Sequence, residues 1–78
     1  SIWEQVTILY KELVENHYFA DGNKRIGILI AYLFLSKNGF EFLPSEGEVY
    51  SMTMKVARIE SSFDEINEWF QQHSMKIK

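Results

Sequence analysis

The sequence contains no cysteine, and this absence excludes disulfide bonds, thiolate metal sites and a cysteine nucleophile. It has one proline and four glycines among its 78 residues, too few for a disordered or fibrous chain. Hydrophobic residues, in contrast, make up 46% of it. The composition therefore predicts a globular domain with a single core that is only just adequate at this length, so any further stabilisation must come from more protein.

Basic charge is scarce as well, since eight basic residues stand against eleven acidic ones and the net charge is −3. The basic residues are scattered instead of gathered on one face, which argues against a nucleic-acid partner. The longest apolar run, residues 28–35, is too short for a membrane span, which needs about 20 residues. We therefore expect neither nucleic acid nor a membrane among the partners.

Apolar residues at helical spacing predict four helices. The first spans residues 2–16 and the second residues 24–37. Because the second is apolar almost all round, we expect it to be the central helix of the fold, buried on most sides. Asp21-Gly22-Asn23 marks a turn between these two helices. Asn38-Gly39 ends the second helix in the way a left-handed cap does, before an extended connector at residues 40–42.

Capping signals mark the two C-terminal helices. Ser45 followed by Glu48 is a capping-box pattern that opens the third helix, and Ser62 with Glu65 repeats it for the fourth. The predicted inward faces carry Val49, Met52, Val56 and Ile59 in the third helix and Phe63, Ile66, Trp69 and Phe70 in the fourth. The fourth helix is expected to end near His73, followed by a basic tail. The predicted fold class is therefore all-α, a compact helical bundle with a central buried helix.

The residues that could carry chemistry are concentrated in segment 17–25, His-Tyr-Phe-Ala-Asp-Gly-Asn-Lys-Arg, which leads into the second helix. A helix N-terminus presents unpaired N–H groups and the positive end of the macrodipole, and therefore suits phosphate. Gly22 lets the backbone approach an anion closely, and Asn23, Lys24 and Arg25 add donors around it. Two cations at this helix end oppose the macrodipole unless an anion lies nearby, which favours a phosphate-binding role.

Two further residues of the segment have catalytic and structural interpretations. Asp21 is a hard oxygen ligand of the kind that holds Mg²⁺ on a polyphosphate, and a neutral His17 could accept the proton of an attacking hydroxyl. The structural alternatives are a helix-end or solvated histidine and a plain Asp-Gly-Asn turn. Phe19 is interpreted in either case as a structural anchor that holds the loop against the core.

This segment resembles the HxFxDGNKR form of the Fic/Doc motif. Lys24 stands where Fic enzymes have a second glycine, so the resemblance is closer to the Doc (death-on-curing) branch. The helix–loop–helix setting extends the resemblance over most of the chain, and we expect residues 1–78 to form a Fic/Doc-like core domain. The implied substrate is ATP with Mg²⁺. The implied roles are general base for His17, Mg²⁺ ligand for Asp21, and phosphate binding for Gly22, Asn23, Lys24 and Arg25.

The resemblance leaves the transferred group open. Doc-type proteins phosphorylate a translation elongation factor, whereas Fic enzymes with glycine at the Lys24 position transfer AMP to a protein hydroxyl. Lys24 favours phosphotransfer, because its long side chain would occupy the space of an α-phosphate and offer its charge to a terminal phosphate. Ile28 stands where the full Fic pattern has another arginine, which disfavours AMP transfer further. A nonenzymatic nucleotide-binding or interaction module on the same scaffold is the alternative from a different class.

The resemblance also implies partners and a location. We expect a protein substrate and, as in toxin–antitoxin pairs, an antitoxin segment that docks as a helix into an apolar groove. The inhibitory pattern of the family is approached by Ser61 and Glu65, but helix capping explains these residues, so no built-in inhibitor is expected. The need for intracellular nucleotide and the absence of a signal-peptide pattern predict a cytoplasmic protein. Because the family has a target-docking flap before this point and the sequence begins without Met, we expect a fragment of a larger chain.

Overall fold

Helix caps and apolar faces set the architecture of the computed structural model, which describes residues 1–16 and 25–77. The elements of these residues follow in the order α1 (Ile2–Glu15), α2 (Arg25–Lys37), β1 (Phe40–Phe42), α3 (Glu46–Ala57), α4 (Phe63–Gln72) and β2 (Ser74–Lys76). The predicted helical fold class is confirmed. In the two described ranges, no helix has the length and apolar character that crossing a bilayer requires.

The predicted caps explain where α3 and α4 begin. At the start of α3, Ser45 Oγ accepts the N–H of Glu48 at 3.2 Å, and Glu48 Oε1 accepts the N–H of Ser45 at 2.8 Å, which completes the predicted capping box. Ser62 caps α4 by accepting the N–H of Glu65 at 3.1 Å. The carboxylate of Glu65 pairs with Lys55 of α3 instead of returning to Ser62, so the second capping box is only half formed.

The core is built from one face of each helix and from β1. Tyr10 of α1 and Phe70 of α4 pack edge to face with ring centroids 5.4 Å apart, and Phe42 of β1 packs edge to face on Trp69 at 5.3 Å. The buried hydrophobic residues are Val6, Tyr10, Val14, Ala31, Leu35, Phe42, Met52, Val56, Ile66, Trp69 and Phe70. The predicted inward faces of α3 and α4 are thus confirmed at Met52, Val56, Ile66, Trp69 and Phe70, and Val49 and Phe63 are partly buried.

The second helix is less buried than the sequence predicts. α2 buries Gly27, Ala31 and Leu35, whereas Leu29 is 54% and Leu33 is 51% exposed. The expectation of a central helix buried on most sides is therefore wrong for the described part of the chain. The physical reason is that, among the described elements, α1 and β1 pack against one face of α2, whereas Leu29 and Leu33 lie on the opposite face and are exposed.

The end of α3 also departs from the prediction. The helix ends at Ala57, and Ile59 lies beyond it with φ 57° and 71% exposure, so its expected place on the inward face is wrong. The N–H of Ile59 donates to Val56 O at 3.0 Å, and the N–H of Glu60 donates to Lys55 O at 2.8 Å. This pair of bonds is a Schellman cap, which turns residue 59 out of the helix.

The residues after α4 form a strand, whereas the sequence predicts a basic tail. β2 pairs antiparallel with β1, with Phe40 opposite Lys76 and Phe42 opposite Ser74, so the predicted connector at residues 40–42 is one strand of a two-stranded sheet. Gly39 has φ 88°, which confirms the left-handed end predicted for α2. The N–H of Ile77 donates to Gly39 O at 2.8 Å. The residue that follows β2 is therefore attached to the end of α2.

Candidate functional site

The predicted site lies between the end of α1 and the start of α2. The structure describes one of its residues, Arg25. The other predicted residues, His17, Phe19, Asp21, Gly22, Asn23 and Lys24, lie outside the described residues. Their roles stay predictions, and the described helix ends show how the two sides of the segment are held.

The last turn of α1 fixes the point at which the segment begins. Asn16 donates its backbone N–H to Glu12 O at 3.1 Å and its Nδ2 to the same oxygen at 2.8 Å. Lys11 and Glu15 form an ion pair along the helix surface, and Val14 is buried in the core. Hydrogen bonds and packing together therefore hold the residue that precedes His17.

A close helix contact fixes the point at which the segment ends. Gly27 is buried in the first turn of α2, and a Cβ placed on it would lie 3.5 Å from Val14 Cγ2 and 3.9 Å from Leu13 Cβ. Val14 and Leu13 belong to the last part of α1, so the two helix ends that flank segment 17–24 lie against each other. Ala31 continues the same buried face one turn further along α2. The two helix ends on either side of the segment are thus packed together.

Arg25 is the first residue of α2, and its side chain is 79% exposed. Its Nη1 lies 3.9 Å from Oε1 of Glu46, the first residue of α3, whose side chain is 91% exposed. An ion pair at this distance and exposure contributes little, so the guanidinium can exchange this partner for an anionic ligand at small cost. The first turn of α2 contains no acidic residue, and the positive end of its macrodipole is therefore not compensated from within that turn.

Glu46 is a neighbour of the candidate site that the sequence analysis missed. The capping box predicts where α3 begins, but no spacing rule relates residues 25 and 46, which meet because the chain returns from β1 to the start of α2. No signal in the sequence could have identified this contact. Its effect is to place a carboxylate beside the arginine that is predicted to bind phosphate.

The residues that approach the inhibitory pattern have structural roles in the described chain. Ser61 is buried, and its hydroxyl donates to the sulfur of Met52 at 3.7 Å. Glu65 forms an ion pair with Lys55. Both contacts join the start of α4 to α3, so packing and capping account for both residues.

A second group of polar side chains lines an open cleft of about 550 Å³ between α3 and α4. Hydrogen bonds from the Ser45 N–H, the His73 ring and the Ser45 hydroxyl lower the pKa of Glu48 to about 2. Both ring nitrogens of His73 contact a hydrogen-bond acceptor. Nδ1 lies 2.9 Å from Trp69 O, and Nε2 lies 2.6 Å from Glu48 Oε2. Because both nitrogens are engaged, this histidine is not set up as a general base.

No group of three His, Asp or Glu side chains that could hold a metal ion occurs within residues 1–16 and 25–77. The predicted Mg²⁺ ligand, Asp21, lies outside these ranges. A single carboxylate beside a polyphosphate is the donor set that Mg²⁺ commonly uses, because the ion keeps several waters and takes its other ligands from the phosphates. Asp21 therefore stays the predicted Mg²⁺ ligand.

The two helices around the segment lie in a part of the chain that is similar to a known family. Residues 1–35 match the Fic/DOC family. The matched range contains α1, segment 17–25 and α2 as far as Leu35, which is the part of the chain that holds the predicted site. The match supports the Fic/Doc assignment and a Fic-type enzyme family, whose members generally transfer nucleotide-derived groups to proteins. No curated protein and no solved structure matches the chain.

Proposed function

We propose that this chain is the catalytic core of a Doc-like protein phosphotransferase, which transfers the γ-phosphoryl group of ATP to a protein hydroxyl. The observation that carries the proposal is the Fic/DOC match over residues 1–35, the range that contains segment 17–25. The described start of α2 supports it, because Arg25 is exposed and the first turn of the helix contains no acid. Such a helix end stabilises an anion.

In the proposed reaction, a substrate hydroxyl oxygen forms a bond to the γ-phosphorus while the bond between that phosphorus and the β–γ bridging oxygen breaks, and ADP leaves. His17 accepts the hydroxyl proton. Gly22 and Asn23 bind phosphate oxygens, and Arg25 neutralises the charge that develops on them. Asp21 would hold Mg²⁺, which supplies further charge neutralisation when bound. Phosphoryl transfer depends mainly on such positioning and charge stabilisation, which is why residues of one segment held between two packed helices are proposed to carry it.

Phosphotransfer is preferred over AMP transfer because of two residues. Lys24 brings a cationic side chain to a position where AMP-transferring relatives have glycine. Ile28 occupies the position of the second arginine of the full Fic pattern, and its side chain is partly buried against the core. An apolar, core-packed side chain cannot donate hydrogen bonds to an α-phosphate. Both differences weaken the nucleotide orientation that AMP transfer requires.

The proposed partners are a protein substrate, with a translation factor as the first candidate, and an antitoxin that regulates the activity in a cytoplasmic toxin–antitoxin pair. The exposed face of α2 supports a helical regulator, because Ile26, Leu29 and Leu33 are each at least 40% exposed at helical spacing. An amphipathic helix packed on this face would bury these side chains.

Expression of the protein without an antitoxin is expected to slow cell growth, and His17→Ala is expected to relieve the effect.

The test is incubation of the protein with a cell lysate and ATP labelled at either the γ- or the α-phosphorus. The proposal predicts Mg²⁺-dependent incorporation of the γ label into protein and none of the α label. His17→Ala is expected to abolish incorporation without changing the melting temperature, and His73→Gln serves as the matched control at the other histidine, where transfer is expected to persist. Incorporation of the α label would establish AMP transfer instead. Absence of both labels with nucleotide still bound would favour the nonenzymatic module.

A further inference from the structure

His73 connects three parts of the fold outside the candidate site. It is the C-cap residue of α4, and its backbone carbonyl accepts the N–H of Leu43, the residue after β1, at 2.7 Å. Its Nε2 contacts Glu48 in the first turn of α3 at 2.6 Å. The residue that follows it, Ser74, begins β2. This one residue therefore contacts the start of α3 through its side chain and the residue after β1 through its backbone, at the point where α4 ends.

Both ring nitrogens of His73 face oxygen atoms that can only accept hydrogen bonds. Nδ1 lies 2.9 Å from the carbonyl oxygen of Trp69, and Nε2 lies 2.6 Å from the carboxylate of Glu48. Neutral imidazole has one N–H and can satisfy one of these acceptors, whereas the imidazolium ion satisfies both. The ring of Trp69 lies beside it, with centroids 5.4 Å apart, and favours the cation further. The geometry therefore selects the protonated ring.

The other charges around His73 do not oppose this state. From α3, Glu48 contacts the ring, and Lys55 lines the same cleft but is paired with Glu65 of α4. The adjoining strands carry one charge of each sign, Glu41 on β1 and Lys76 on β2. The side chain of His73 is 19% exposed and that of Glu48 is 47% exposed, so solvent reaches their contact from the Glu48 side.

We propose that protonated His73 is a pH-dependent latch that fastens the C-terminal strand β2 and the end of α4 to the start of α3. Loss of the proton leaves one ring nitrogen with a lone pair facing an oxygen lone pair, so one of the two contacts must open. The strand pairing that depends on the His73 backbone then loosens. The latch is closed at mildly acidic pH and opens as the pH rises.

The hydrogen bond to Trp69 O, together with Glu48, raises the pKa of His73 above 6.5, which gives the sign of the effect. The folded state then holds the proton more tightly than the unfolded state. The stabilisation is complete below pH 6.5 and is lost as the pH rises through the folded-state pKa. The folding equilibrium constant falls about tenfold for each unit by which that pKa exceeds 6.5.

The experiment is an NMR titration of the chain carrying His17→Gln, which leaves His73 as the only histidine. The ¹⁵N shifts of the ring are expected to give a pKa above 6.5 with both nitrogens protonated below it. Hydrogen exchange of the Leu43 and Ile77 amides, corrected for the intrinsic pH dependence, is expected to accelerate as the pH passes through the same value.

Two variants separate the latch from a general loss of stability. His73→Gln can still donate to Glu48 but does not titrate, so its Leu43 and Ile77 amides are expected to exchange at a corrected rate that is independent of pH. Glu48→Gln keeps the acceptor for Ser45 but removes the charge, and it is expected to lower the pKa of His73. A pKa of His73 at or below 6.5, or the same pH-dependent acceleration in His73→Gln, would overturn the proposal.

Discussion

Tyr10 illustrates how single side chains hold this small core together. Its hydroxyl forms a buried hydrogen bond with Thr53 Oγ1, which joins α1 to α3. Burial raises the pKa of Tyr10 to about 12, so the hydroxyl stays protonated and able to form this bond over the whole physiological range. A polar group in such a place is stable because it has a partner, and the described residues contain no buried side-chain nitrogen or oxygen without one.

Tyr10→Phe is expected to lower the free energy of unfolding by about 1–2 kcal/mol, because Thr53 is only 7% exposed and its hydroxyl would lose its partner. Urea denaturation measures this change. Tyr50→Phe is the matched control, since Tyr50 is 67% exposed. Equal losses in the two variants would show that the buried hydrogen bond does not contribute.

Two residues with positive φ give opposite predictions at the residue scale. Ile59 has φ 57°, a conformation that is costly for a β-branched side chain, and its side chain is 71% exposed. Ile59→Gly is therefore expected to raise the stability by about 1 kcal/mol, because glycine is the preferred residue at this position of a Schellman cap. Gly39→Ala, at φ 88°, is expected to lower the stability by a similar amount. Thermal unfolding of both variants measures the two changes in stability. A change of the same sign in both would contradict the explanation by backbone conformation.

The helix ends show what could be predicted from sequence at the scale of the element. The start of α3 is encoded locally by Ser45 and Glu48, and the left-handed end of α2 by Gly39, so local rules found both. The sequence does not predict the end of α3, because isoleucine occupies the position at which glycine would indicate it. β2 was missed because its pairing with β1 joins residues more than 30 positions apart, and a three-residue strand carries no periodicity of its own.

Ser45→Ala removes the side-chain half of the capping box and is expected to lower the stability by about 1 kcal/mol. The helical signal measured by far-UV circular dichroism should fall at the start of the thermal transition, because α3 frays from its first turn. Ser51→Ala, at an exposed position inside the same helix, is the control and is expected to leave the stability unchanged or slightly raised. A loss at position 51 as large as that at position 45 would exclude the cap as the cause.

At the scale of the whole molecule, α2 shows how burial depends on the elements that pack against a helix. The residues of this helix are apolar almost all round, but their periodicity does not say which faces other elements cover. In the described chain α1 and β1 cover the face of Leu35, whereas Leu33 is half exposed. The candidate site can be predicted from the sequence because its motif is one contiguous segment, residues 17–25. The contact between Arg25 and Glu46 cannot, because it depends on the tertiary fold.

The same substitution at two leucines of α2 tests this description. Leu35→Ala is expected to lower the free energy of unfolding by about 2–5 kcal/mol, because it leaves a cavity in the core. Leu33→Ala is expected to change it by less than about 0.5 kcal/mol, since the side chain is 51% exposed. Denaturant titration at two protein concentrations measures both values. A large loss for Leu33→Ala would mean that the open face of α2 is covered in solution.

The central claim is that the segment before α2 binds the phosphates of a nucleotide, and calorimetric titration of the folded chain with MgATP tests it most directly. We expect saturable binding that Arg25→Ala weakens by about tenfold, the loss of one charge-assisted contact. Arg58→Ala removes the same charge at an exposed position after α3 and is expected to leave the affinity unchanged. Absence of MgATP binding by the folded chain, or equal weakening in the two arginine variants, would contradict the account.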